Sequence, residues 1–284
     1  MFLTHLHSVY SLSDSLITTN KLVKRLNELN MKKVAITDHG NLLHIQEFRK
    51  ALKNNNISHF PGCEFYFTDD INNKEQRKSY HLTVIAKTEQ GVKNLYTLSS
   101  LSYEKGFYYR PRIDFNLLKE YNEGLVVSSA CLKGKLDCLL LEGKCLEALK
   151  HAQDMKNILG DRFFIEIMPH NIEEQQKVNP LLIELAQKLD IKIITTCDSH
   201  YAYQDEAENR RMLLMMNKAG WAKDEEVGGC NTIYMMSPDE MKNTFNIYHS
   251  NIDKKVIDEA VDNTELVLDG DAPNVEFDKA RFPI

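Results

Sequence analysis

The residues of this chain that could do chemistry are histidines, carboxylates and one cysteine at spacings that suit a metal ion. His5 and His7 lie in Phe2-Leu3-Thr4-His5-Leu6-His7-Ser8, a stretch that reads as a strand. Residues two apart on a strand point to the same face, so the two imidazoles share a direction. Asp198 and His200 repeat the device just after the apolar run Ile191-Lys192-Ile193-Ile194. Two such pairs predict a metal site closed from both ends of the sequence. Further donors lie between them: His39 in Asp38-His39-Gly40, Glu64 after Cys63, His81 and Cys131. Mixed imidazole, carboxylate and thiolate donors suit zinc, manganese or iron better than magnesium.

The elements that must position these residues are legible as alternating short apolar runs and amphipathic stretches. Strands are expected at 2–8, 33–37, 58–67, 81–86, 124–129, 163–168 and 191–196. Helices are expected at about 22–29, 42–53, 91–101, 132–141, 144–158, 178–189, 204–218, 238–246 and 253–266. Strands alternating with helices imply parallel βα units, and about seven of them fit a distorted, closed or nearly closed α/β barrel. His5, His7, His39, Glu64, Cys131, Asp198 and His200 then fall at or just past the carboxyl ends of strands, the rim where catalytic residues of such barrels converge. His81 is the exception, because it begins its strand. Residues 269–284 carry turn residues without a clear period and read as a linker or a fraying end.

Bulk properties narrow the function. The 284 residues are 43% hydrophobic and 27% charged, which is globular rather than disordered composition. A formal charge of −6 argues against a surface coated in basic groups for gripping nucleic acid, though a local basic channel remains compatible with it. No apolar run spans a membrane and no signal peptide is visible, so a cytoplasmic protein with no membrane association is expected. The six cysteines show no Cys-x-x-Cys spacing and read as reduced thiols, mostly small core residues.

Thr4-His5-Leu6-His7-Ser8, Tyr10-Ser11-Leu12 with Asp14, Thr37-Asp38-His39-Gly40-Asn41 and Pro61-Gly62-Cys63-Glu64 together resemble the polymerase-and-histidinol-phosphatase (PHP) domain. His81-Leu82-Thr83, Gly106 through Asp114, Gly160-Asp161-Arg162-Phe163 and Tyr234 through Met241 resemble more narrowly the subgroup at the amino terminus of bacterial DNA polymerase III alpha subunits. Phe282-Pro283 resembles the point where that subgroup passes into its polymerase module. The resemblance implies a distorted seven-stranded PHP barrel over 1–268, with 269–284 as a linker or the start of that module. It implies two to three divalent ions. His5, His7, Glu64 and Asp198 would surround one, Glu64, His81 and Cys131 a second, and Asp14, His39 and His200 a third. Glu64, Asp198 and His200 would be the catalytic ligands. Two ions sharing a carboxylate activate water and neutralise a phosphate, so the implied reaction is phosphoester hydrolysis, as 3′–5′ exonuclease proofreading on a DNA 3′ end. Two positions depart from the family pattern: Ser15 stands where glycine is usual and Cys197 where asparagine is usual.

Other residues have both a functional and a blander reading. Asp38 is a candidate for orienting ligands from behind. Tyr109, Arg110 and Arg112, with Lys105 and Tyr108, mix aromatics with cations that could stack bases and hold phosphates, or could form a loop packed on the barrel. His170 could reach the same rim or be a hydrogen-bonded loop histidine. His44, His59, His151 and His249 are expected to have no catalytic part, and the methionine pairs 215–216 and 235–236 are expected in the core. Three functions remain open. One is a metal-dependent phosphoesterase within a replicative polymerase, partnered by the rest of that enzyme and by its proofreading or clamp subunits. Another is a non-catalytic docking module for a separate exonuclease. The last is a small-molecule phosphatase of histidinol-phosphatase type.

Overall fold

The computed structural model describes residues 1–217 and 230–275. Seven strands form one sheet: β1 (Lys33–Ile36), β2 (Ser58–Phe67), β3 (Tyr80–Ala86), β4 (Arg112–Ile113), β5 (Leu125–Ser128), β6 (Phe163–Ile167) and β7 (Lys192–Thr195). Their order is β1-β2-β3-β5-β6-β7, with the two-residue β4 beside β2. Helices α1 (Thr19–Glu28), α2 (Ile45–Asn54), α3 (Glu89–Glu104), α4 (Phe115–Glu120), α5 (Lys135–Leu141), α6 (Cys145–Leu159), α7 (Glu173–Leu189), α8 (Ala207–Asn217), α9 (Pro238–Tyr248) and α10 (Lys254–Val267) complete the described residues. The expected all-parallel sheet needs correction, because β3 runs antiparallel to both β2 and β5. That reversal resolves the anomaly of His81. The amino end of an antiparallel strand meets the carboxyl ends of its neighbours.

The expected first strand is also only partly regular. Its backbone bends at His5 and makes single bridges, Leu3 to Val34 and Leu6 to Ser199. Those bridges close the ring. Ala35 N and Thr37 N donate to Leu3 O and Leu6 O on one side, while His7 N donates to Ser199 O on the other. Residues 3–7 therefore fill the gap between the two edges of the ladder, and the sheet curls into a distorted barrel. Helix α10 holds this segment in place, with Phe2 N donating to Thr264 Oγ1 at 3.0 Å.

The barrel interior is layered by strand parity. Ala35, Phe60, Ile85, Val126, Phe164 and Ile194 form a buried apolar layer, sealed below by Val267 and Leu268 at the end of α10. Two residues further toward the rim come Thr37, Thr83, Ser128, Glu166 and Thr196, all buried and polar. Gly62 occupies the same level on β2, where a Cβ would lie 2.8 Å from Thr37 Cγ2 and 2.9 Å from Val84 O. The next level carries His39, Glu64, His81 and Asp198. A second, larger core lies between the sheet and the helices, from Leu22 and Phe48 to Leu182 and Phe245. Met235 and Met236 are buried there as expected, but Met215 and Met216 are not, and Met216 is 67% exposed. No helix among the described residues is long and apolar enough to cross a membrane.

Candidate metal centre

All nine predicted donor residues meet at the rim, with Glu64 at the centre. Its Oε1 lies 3.2 Å from His5 Nε2 and 3.0 Å from His81 Nδ1. Its Oε2 lies 2.6 Å from His39 Nδ1 and 3.7 Å from His7 Nε2. Asp198 Oδ1 lies 3.3 Å from His5 Nε2 and 3.0 Å from His7 Nε2. Asp14 Oδ2 lies 3.2 Å from His39 Nε2 and 3.4 Å from His200 Nε2. Cys131 Sγ completes the cluster, 3.9 Å from Glu64 Oε1 and 3.7 Å from His81 Nδ1. Donors on one tetrahedral zinc are about 3.4 Å apart, so most of these separations would need only small shifts to admit a shared ion.

The bonding around the cluster fits that use. His5 Nε2, His7 Nε2, His39 Nδ1, Glu64 Oε2 and Asp198 Oδ1 are buried and have no partner outside the cluster of donors. Buried polar atoms of this kind need one another's protons or a shared cation to be satisfied. The outward-facing nitrogens, by contrast, are engaged. His5 Nδ1 lies 2.9 Å from Glu166 Oε2, His7 Nδ1 lies 3.1 Å from Ser11 Oγ, and His200 Nδ1 donates to Asp198 O at 2.7 Å. Each contact fixes a ring so that its other nitrogen faces the cluster. Backbone geometry assists. Ala130 and Asp198 both adopt left-handed φ, 65° and 46°, just past the ends of β5 and β7. These turns redirect Cys131 and Asp198 inward at a cost in local strain.

The electrostatics are those of a cation site. Burial alone would depress the His5 pKa, but Glu166, Asp198 and Glu64 outweigh it and hold the ring well above its ordinary value. His39 is likewise raised to about 9 against burial, chiefly by Glu64. His7 is pushed down to about 4 by burial and by His39 and His200. Burial works to raise Glu64 and Asp198, yet the histidines around them leave both carboxyls well below the usual range. Burial, with Asp198 and Glu64 beside it, pushes the Cys131 thiol up. The negative field that keeps protons on His5 and His39 would also attract a divalent cation able to displace them.

The supporting residues divide into those the sequence signals and those it does not. Asp38 is buried and accepts from Ser8 N, Ser8 Oγ and Ser11 Oγ at 2.6–2.7 Å, so it steadies His7 through Ser11. Ser15, one of the departures from the family pattern, lies 2.5 Å from His7 O and 2.9 Å from His200 O, bracing two donor segments together. Glu166 was not anticipated. It accepts from Ser128 Oγ, Thr196 Oγ1 and Ala130 N while holding His5. A lone glutamate amid Phe163-Phe164-Ile165 and Ile167-Met168 was the available signal, since a buried strand rarely carries an unpaired charge.

The expected substrate contacts fare unevenly. Arg112 needs correction. It is fully buried and donates to Gly106 O, Gln76 O and Ile71 O at 3.0–3.2 Å, which makes it a clasp for the 71–76 and 106 loops. Tyr109 is 62% exposed beneath Arg77 and does not line the cavity. Arg110 does line it, stacked 4.6 Å over Tyr66 beside Tyr103 and Lys133. Arg210 reaches in from α8 to bond Asp14 Oδ1 at 2.5 Å. His170 is buried and lines an adjoining cavity with Arg210, its Nδ1 3.1 Å from Thr232 Oγ1.

These features join a polar, layered barrel to a rim of metal-type donors. The family model of the PHP domain matches residues 4–170, and the chain belongs to that family. It is 41% identical over 216 residues, 74% of its length, to the DNA polymerase III subunit alpha of Treponema pallidum, and it covers 18% of that protein. It is 35% identical over 279 residues, 93% of its length, to the corresponding subunit of Helicobacter pylori, of which it covers 22%. The chain thus spans about a fifth of the length of the curated relatives it matches. Among solved structures, an amidohydrolase from Chromobacterium violaceum aligns over 70% of this chain and 87% of its own, with a TM-score of 0.48 at 11% identity.

Proposed function

We propose that this chain is the metal-dependent phosphoesterase module of a DNA polymerase III alpha-type replicative enzyme, and that it removes nucleotides from DNA 3′ ends as a 3′–5′ exonuclease. The observation that carries the reading is the convergence of nine donor side chains at the rim, five of whose buried atoms have no partner outside the cluster. In this reading His5, His7, Glu64 and Asp198 hold one zinc, manganese or iron ion, Glu64, His81 and Cys131 a second, and Asp14, His39 and His200 a third. Such ions, when bound, polarise a phosphoester and lower the pKa of an attacking water. The protein's own part is to fix the donors through Glu166, Asp38 and Ser11, and to receive the phosphate between Arg110, Lys133 and Arg210 at the cavity mouth. The barrel over 1–268 is the functional unit, and 269–284 leads toward the polymerase module. The expectations for 276–284, and for residue 218 at the end of the expected helix 204–218, lie outside the described residues. The setting we assign is cytoplasmic, in contact with the rest of the polymerase and its proofreading or clamp subunits.

Metal content tests this first. Elemental analysis after purification without chelator or histidine tag should find two or three equivalents of zinc, manganese or iron, lost in an Asp198→Ala, His200→Ala double variant. A folded protein that stays empty after incubation with these ions supports a docking module instead. Given metal, hydrolysis of 3′-ended DNA without turnover of small phosphomonoesters supports the exonuclease, and the reverse pattern supports a small-molecule phosphatase.

A further inference from the structure

The cavity of about 280 Å³ beside the donors has a second wall that the metal reading leaves unexplained. His170, Gln175 and Cys230 line it opposite His39, Cys131, Asp198 and His200. Gln175 is 1% exposed, and its orientation is fixed by its neighbours. Asn179 donates from Nδ2 to Met168 O at 2.8 Å, so its Oδ1 is an acceptor, and Gln175 Nε2 donates to that oxygen at 2.8 Å. Gln175 Oε1 is therefore an acceptor, and it has no partner. His170 is 4% exposed and spends Nδ1 on Thr232, and its Nε2 also has no partner. Two spare polar atoms at this depth are costly unless a ligand completes them. The phosphate of a nucleotide cannot complete Gln175 Oε1, because neither an ionised phosphodiester nor a phosphomonoester dianion has a proton to donate. A hydroxyl can: it donates to Gln175 and can pair with His170 Nε2 in either tautomer.

Resting on the phosphoesterase reading, we propose that His170 and Gln175 form a sugar-hydroxyl subsite, which seats the 3′-hydroxyl of the terminal nucleotide while its phosphate faces the metal donors. The subsite makes a free 3′-hydroxyl a specificity requirement. Calorimetric titration of the protein with added manganese tests it, using deoxyadenosine monophosphate, its 2′,3′-dideoxy analogue and inorganic phosphate as probes. The deoxynucleotide should bind roughly tenfold more tightly than the dideoxy analogue, the worth of one hydrogen bond to a buried acceptor. Gln175→Met should abolish that difference while leaving phosphate affinity and metal stoichiometry unchanged. The wild-type comparison stands alone if the variant melts early. Equal binding of the two nucleotides, or binding of phosphate without either nucleotide, overturns the subsite and leaves the phosphoesterase reading intact. Failure of all three probes to bind removes both.

Discussion

At the scale of single residues, the site depends as much on the atoms behind the donors as on the donors themselves. Glu166 presents one oxygen to His5 and gathers Ser128, Thr196 and the Ala130 amide with its remaining capacity. Glu166→Gln keeps the volume but places an amide where these donors need acceptors. Metal affinity, read by competition with a chelator, should fall roughly 10–100-fold, as when other contacts behind a ligating histidine are lost. An unchanged affinity would mean that His5 needs no such support. Arg112 makes the opposite point, because a motif that suggested phosphate contact is spent on backbone carbonyls. Arg112→Met should destabilise the fold by about 3 kcal/mol in denaturant titration, since it strands three buried acceptors. Arg112→Lys should recover little, because an ammonium cannot reproduce the planar fork.

At the scale of elements, most boundaries and nearly all donors were legible, for reasons that also explain the misses. β2 was read end to end because ten residues of aromatic, small and apolar character lie between turn signals. Helix α9 was expected at 238–246, and its start is fixed by the Ser237 and Glu240 side chains, which bond reciprocally there. The direction of β3 was hidden, since alternation along a strand reads the same both ways. The two-residue β4 and six-residue α4 are too short to carry a period. Glu166 and Gln175 were missed because their roles come from partners 30 to 161 residues away or from a cavity, neither of which leaves a local pattern. Ser15 was noticed only as a departure from a family habit, yet it bridges the segments of His7 and His200. Ser15→Ala should lower stability by about 1 kcal/mol and weaken metal binding at both segments together, which thermal melts with and without zinc would register.

At the scale of the whole molecule, the buried His59 and the half-buried His151, both far from the rim, shape the response to acid. Burial holds His59 well below its ordinary pKa and pushes His151 down to about 3. Unfolded, each takes up a proton near pH 6.5, whereas folded, His151 resists until about 3. The unfolded chain therefore binds more protons as pH falls from 6.5 toward 3, and stability is full above that window and lost within it. Each histidine contributes a slope of up to about 1.4 kcal/mol per pH unit. Urea midpoints measured in chelator between pH 7 and 5 should decline, and His151→Gln should flatten the decline. A slope indifferent to that substitution would assign the acid response to other groups.

The closing of the barrel by residues 3–7 has a consequence for the order in which the protein can be made. Ser199, against which His5 and His7 are pinned, leaves the ribosome almost two hundred residues after them. The stave of residues 3–7 can rest on β1 early, but its other edge must wait until nearly the whole barrel has been synthesised, and the nine-donor cluster cannot assemble in any shorter nascent chain. Stalled chains that stop before residue 201 should fail to retain zinc, however much of the sheet they have built.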